Sequence, residues 1–235
     1  MTEAEWNSCR EPEKMLTFLR GSGRASDRKL RLFAVAVCRR IWPLLTDERS
    51  RRVIVTLERH VEGTASDQEL READSAAEDA AWDLDGWGGH RVAVSVCAAA
   101  WAAAAANWEG RQHDCAHKAA QAVACGFAEA DYDPVAEREE RITQAILLRD
   151  IFGPLRFREV AANPAWLAPI VVTLAQAAYE HRTLPAGHLD SGRLAALAEA
   201  LAAAGYTDAE LLAHLRSPGP HVRGCFALDL LLGRE

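Results

Sequence analysis

The chain has 235 residues, 49% of them apolar, which excludes a wholly disordered protein and leaves room for one large domain or two small ones. Lysine and arginine total 27 against 34 acidic residues, a formal net charge of −7, so affinity of the whole surface for nucleic acid or anionic membrane is not expected. The six cysteines are scattered without a Cys-x-x-Cys pair, and Thr2, Glu3 and Glu5 stand where an export signal would be basic and then apolar; a reduced, cytoplasmic protein is the expectation.

Helix signals recur along the chain, and strand alternation hardly appears. Thr2 and Glu5 have the spacing of a capping box for a short first helix, in which hydroxyl and carboxylate each satisfy an early backbone N–H. A second helix starts near Pro12 and stops at Gly21-Ser22-Gly23. Ser26 opens a third, SDRKLRLFAVAVCRRIW, with Leu30, Phe33, Val37 and Ile41 on one apolar face and Pro43 ending the pattern. Thr46 restarts the chain, Val53, Leu57 and Val61 recur at helical spacing, and Gly63 stops it. Ser66 with Glu69 forms a second capping box ahead of an acidic helix that runs towards the turn GWGGH at 86–90.

Two alanine-rich helices are expected over roughly 91–108 and 111–127, with Trp101, Trp108 and Cys115 seven residues apart on one stripe. The run between Arg91 and Glu109 has 17 uncharged residues; at about 1.5 Å per residue it is short for a bilayer, and its alanines gain little from lipid, so it reads as a buried helix. Residues 135–152 form a further helix ending at Gly153-Pro154. Beyond a linker with Pro154, Asn163 and Pro164 come a helix containing IVVTLAQAAYEHR, the helix SGRLAALAEALAAAG, a third capping box at Thr207 and Glu210, and a last short helix with Pro220 at its first position. The expected fold is all-α, a compact irregular bundle of about nine to eleven helices. Residues 1–153 and 154–235 form two regions packed as one domain, with no fixed repeat period.

Blocks at both ends resemble a bacterial family of all-helical proteins: TEAEW, MLTFLRG and SDRKLRLFAVAVCRRIWPLLTDERSRR at the front, then LLRDIFGP, AWLAPIVVTLAQAAYEHR and DAELLAHLRSPGPHVRGCFALDLLLG at the back. They cover well over half of the chain. The resemblance implies the helical fold and a variable middle rich in alanine and tryptophan, and it brings no activity with it. The family pattern often has a cysteine beside Cys38 and another beside His214, where this chain has Val37 and Leu215. That departure counts against an essential cysteine cluster.

Three constellations carry possible chemistry. Residues 20–59 hold ten arginines and Lys29 against four acidic residues, a net of +7, whereas residues 61–90 carry a net of −8. Arg28, Lys29, Arg31, Arg39 and Arg40 are the candidate partner-binding cations, able to grip phosphate or an acidic partner through forked bonds. The plainer reading is that the acidic helix neutralises the basic ones within the fold. No RNP sequence, zinc-finger spacing or helix-turn-helix signature supports nucleic-acid binding.

His113 and His117 in HDCAH lie one helical turn apart, a spacing that one metal ion can bridge, but Asp114 stands where a hydrolase of the HExxH type needs glutamate. In the third, His221, Cys225 and Asp229 recur at four-residue intervals near the C-terminus. They offer ligands or a nucleophile with its base, within a helix so apolar that docking in the core is the simpler account. A carboxylate among leucines needs a cation, so Asp229 is expected to clamp Arg39, Arg40 or Arg149. Trp82, Trp87, Trp101 and Trp108 suit a core stripe better than a ligand pocket.

Glycine-rich phosphate loops, GxSxG elbows and catalytic carboxylate pairs are missing from the sequence, which lowers the expectation of an enzyme. The leading expectation is a non-catalytic module binding an unidentified protein partner, without cofactor. The alternatives are a metal protein holding zinc or another transition metal through His113, His117, His221 or Cys225, and nucleic-acid binding through residues 20–59.

Overall fold

A computed structural model describes residues 1–22, 25–85, 134–157 and 166–234. Among them are ten α-helices: α1 (Glu3–Ser8), α2 (Pro12–Ser22), α3 (Asp27–Arg40), α4 (Glu48–Val61), α5 (Asp67–Asp85), α6 (Pro134–Phe152), α7 (Pro169–Glu180), α8 (Ser191–Ala203), α9 (Ala209–Arg216) and α10 (Phe226–Leu232). The fold is all-α, and no described helix is long and apolar enough to cross a membrane. A two-stranded antiparallel ribbon, β1 (Arg182–Thr183) and β2 (His188–Leu189), is the one departure from helix among these residues and was not expected. The expected alanine-rich helices, with His113, His117, Trp87, Trp101, Trp108 and Cys115, lie outside the described residues, as does the side chain of Trp82.

Local chemistry explains where most helices begin. Thr2 and Glu5 make the reciprocal capping box, Ser26 caps α3 through the N–H of Lys29, and Ser66 and Glu69 exchange hydrogen bonds ahead of α5. Two starts differ from expectation by one residue. Asp47, not Thr46, caps α4, and Asp208, not Thr207, caps α9 by accepting from the N–H groups of Glu210 and Leu211. An ionised carboxylate at a helix N-terminus gains from the macrodipole as well as from the hydrogen bond, which a hydroxyl does not.

The last helix is the larger correction. Pro220 does not open it: residues 221–225 run as an irregular loop, Gly224 adopts φ +86°, and α10 begins at Phe226. A side chain at Gly224 would meet Leu32 at 2.9 Å, so the turn there needs glycine for both conformation and space. His221, Cys225 and Asp229 therefore do not share one helical stripe.

The apolar core falls into two clusters. One runs from Trp6 through Phe33, Ile54 and Leu70 to Phe152 and takes in Val222; the other joins Val171, Tyr179, Leu197, Leu215, Phe226 and Leu231. Where they meet, α6 ends at Gly153, whose φ is +49° and whose missing side chain admits the Phe226 ring; a Cβ there would sit 2.3 Å from it. Arg149 caps the end of α1 instead of reaching Asp229, donating to the carbonyls of Trp6 and Cys9.

A polar layer crosses the same boundary. Asp229 pairs with Arg28 at 2.8 Å and with Lys29 at 3.3 Å, rather than with Arg39, Arg40 or Arg149. Those cations start α3, whereas Arg39 and Arg40 end it about three turns away and meet Glu58 and Glu140. Arg28 also donates to the Tyr179 hydroxyl, which donates to Glu62; Arg234 completes this knot by pairing with Glu62 and covering the Tyr179 ring. Arg182 and Arg39 both bind Glu58. Asp229 is thus ion-paired, but not with the cations the sequence suggested.

Removing one member of a buried ion pair leaves its partners desolvated without compensation, a cost of about 3–5 kcal/mol. Asp229→Asn is expected to lower unfolding stability by about 3 kcal/mol in urea titration. An unchanged midpoint would contradict the clamp.

Candidate metal centre

Four side chains from three segments converge where the two cores meet. Asp150 lies in the last turn of α6, His214 near the end of α9, His221 in the loop after it, and Cys225 at the N-cap of α10. Their donor atoms all lie within 4.8 Å of one another. His221 Nδ1 is 2.7 Å from Asp150 Oδ1, His214 Nε2 is 3.1 Å from the same oxygen, and His214 Nε2 is 3.2 Å from Cys225 Sγ.

The chain places each donor by ordinary bonding. Asp150 is 2% exposed, and its second oxygen accepts from the Val222 N–H at 2.9 Å, which pins the loop to α6. The His221 carbonyl accepts from Leu189 N–H, so the unexpected ribbon braces the same loop from outside. The Cys225 N–H bonds to the Val222 carbonyl and its carbonyl opens α10. Phe226, seated against Gly153, packs its ring 4.5 Å from that of His214, and the two imidazoles meet edge to face at 4.8 Å.

Proton positions follow from the partners. The ring nitrogen of His221 that faces away from Asp150, Nε2, lies 3.1 Å from both the carbonyl and the hydroxyl of Ser217, so it can donate to the one or accept from the other. A neutral His221 that accepts from the Ser217 hydroxyl carries its proton on Nδ1 and donates it to the Asp150 oxygen 2.7 Å away. His214 Nε2 faces both Asp150 and the Cys225 thiol, whose own S–H can donate.

Burial and charge shift the groups accordingly. Burial alone would raise the Asp150 carboxyl, but the two imidazoles outweigh it and hold it at about 2. Burial would lower His221, and Asp150 more than reverses this, so the imidazole is raised. Burial and then Asp150 push the Cys225 thiol well up, against the N–H groups of Leu228 and Ala227 that favour its thiolate.

A catalytic triad does not fit this geometry. In such a relay the carboxylate holds one nitrogen of the base while the other faces the nucleophile. Here Asp150 and Cys225 approach the same nitrogen of His214, and the thiol is buried with its pKa raised. The four donor atoms lie close enough together to be offered to one ion. Tetrahedral nitrogen and oxygen ligands at about 2.0–2.1 Å from zinc stand about 3.3 Å apart, so the 2.7 Å contact of His221 with Asp150 needs to open by about half an ångström and the widest pairs, out to 4.8 Å, need to close.

Among the sequence-derived candidates, His221 and Cys225 belong to this cluster. Asp229 does not; Asp150 is its carboxylate, and His214 its second imidazole. Asp150 did carry a signal, an acidic residue inside the apolar run LLRDIF, the same feature that singled out Asp229. The basic candidates are engaged within the fold: Arg28 and Lys29 with Asp229, Arg39 with Glu58, Arg40 with Glu140, and Arg31 with His60 Nδ1 at 3.3 Å. No family model matches the chain, and neither a curated protein nor a solved structure matches it significantly.

Burial orders the thiols. Cys38 and Cys225 are buried, and Cys38 is pushed up to about 12 despite Arg39, whereas Cys9 is half-buried. Alkylation of the metal-free native protein, mapped by peptide mass spectrometry, is expected to modify Cys9 well before either. Labelling of Cys225 as fast as Cys9 would contradict the geometry of the centre.

Proposed function

We propose that this is a non-catalytic metal-binding protein in which Asp150, His214, His221 and Cys225 hold one zinc ion that locks the C-terminal loop and α10 onto α6. The observation that carries the reading is the convergence of four buried or half-buried donors, one sulfur, two nitrogens and one oxygen, within 4.8 Å. A full set of four protein ligands closes a tetrahedral site and leaves no open position for water or substrate, which is the pattern of structural rather than catalytic zinc. The mixed donor set suits a borderline-soft ion and disfavours magnesium and calcium, which take oxygen.

The surrounding bonds support the same conclusion. A metal-bound imidazole characteristically donates its other N–H to a backbone carbonyl, and the Ser217 carbonyl lies 3.1 Å from His221 Nε2 to accept it. Bound zinc would take the place of the proton between His221 and Asp150 and stabilise the Cys225 thiolate. The His214 side chain, 18% exposed, gives the ion a route from solvent. The expectation of a partner-binding arginine face is less well supported, since Arg28, Lys29, Arg39 and Arg40 already face carboxylates of the chain.

Elemental analysis of untagged protein tests the proposal. Wild-type chain reconstituted with zinc and desalted is expected to retain about one equivalent, and Cys225→Ser or His214→Ala to retain little. Zinc at a free concentration about 100 times its Kd is expected to stabilise the wild type by about 2.7 kcal/mol, an increment that a chelator removes. Wild-type chain that retains no metal and gains no stability from zinc would overturn the reading.

A further inference from the structure

Lys29 lies behind the centre and touches none of its donor atoms in the bonds that define its place. Its ammonium group, on the first turn of α3, donates to the Ile151 carbonyl at 2.7 Å and the Gly224 carbonyl at 3.5 Å, and faces Asp229 Oδ2 at 3.3 Å. An ammonium has three N–H donors, and these are three acceptors. Ile151 directly follows Asp150, and Gly224 directly precedes Cys225. One buried cation therefore ties together the two backbone segments that carry the carboxylate and thiolate ligands, although 75 residues separate them.

From this geometry we infer that Lys29 is a positioning residue for the metal centre: it preassembles the Asp150 and Cys225 segments before the ion arrives. The inference rests on the zinc reading of the four donors and extends it to a residue outside the ligand set. A shell that fixes ligands in place lowers the ordering cost of binding, and loss of such support typically weakens metal affinity about 10- to 100-fold. Lys29 differs here from Arg28. Both pair with Asp229, but the other bonds of Arg28 go to Tyr179 and Glu62, away from the residues flanking the ligands.

That difference supplies the control. Lys29→Met keeps an unbranched chain of similar length without the donors, and Arg28→Met removes the other cation from Asp229 while leaving the carbonyl bonds of Lys29 in place. Both variants are expected to unfold at lower denaturant than wild type. Co(II) serves as the probe, read by its thiolate charge-transfer and tetrahedral d–d bands, with zinc displacing it. Lys29→Met is expected to weaken Co(II) and zinc binding about 10- to 100-fold, and Arg28→Met to bind close to wild type. In the metal-free proteins, hydrogen exchange at the Val222 and Cys225 amides is expected to rise more in Lys29→Met than in Arg28→Met.

Equal Co(II) affinity and equal exchange in the two variants, with wild type binding normally, would overturn the positioning role and leave the metal reading intact. Wild-type chain that shows no Co(II) thiolate band would instead refute the metal reading, and the inference with it. Should Lys29→Met fail to fold, Lys29→Gln, which keeps a donor without the charge, is compared with Arg28→Met. It is expected to bind more weakly than Arg28→Met, and equal binding would overturn the inference.

Discussion

The structure turns on one buried carboxylate. Asp150 has lost nearly all contact with water, and a charge so placed persists only when its oxygens find donors or cations. One oxygen takes the Val222 N–H and so fixes the C-terminal loop; the other faces His221 and His214. From that requirement follow the path of the loop, the position of Cys225 at the head of α10, and the seating of Phe226 against Gly153. A cation held among these donors would meet the carboxylate, both imidazoles and a thiolate at once.

Two polar knots lie on either side of the start of α10, and Lys29 connects them. One is the Asp150 centre. The other is the layer in which Asp229, Glu62 and Glu58 draw in Arg28, Arg39, Arg182 and Arg234 from both parts of the chain. Apolar packing alone supplies two adjacent cores and does not dictate how one sits on the other. Bonds with fixed direction do, provided every member is satisfied, because a half-satisfied buried network costs more than an apolar contact. Arg28, Lys29, Arg39 and Arg40 of the basic segment are used in this way.

Helix existence was readable because capping and periodicity are local. The Thr2, Ser26 and Ser66 starts follow from residues within one turn of each helix. The α9 start moved by one residue because Asp208 competes with Thr207 for the same amides, a contest that spacing alone does not decide. At the C-terminus the four-residue rhythm of His221, Cys225 and Asp229 suggested one stripe, but Gly224 breaks the helix between them, and only the packing of Leu32 against that glycine reveals why. The need of Asp229 for a cation was legible from its apolar neighbours, whereas the choice of Arg28 over Arg39 depends on how α3 crosses α10. The centre itself joins positions 150, 214, 221 and 225. Close pairs such as His113 and His117 are what a sequence displays most plainly, and ligands brought together by tertiary packing leave only scattered signs, here an acidic residue in LLRDIF and a histidine one turn before a Pro-Gly-Pro loop.

X-ray absorption at the zinc edge of the reconstituted wild-type chain tests the central claim most directly, because it counts the atoms around the ion. A four-coordinate shell with one sulfur at about 2.3 Å and three nitrogen or oxygen atoms at about 2.0–2.1 Å is the predicted result. A six-coordinate shell of oxygen and nitrogen without sulfur would contradict it.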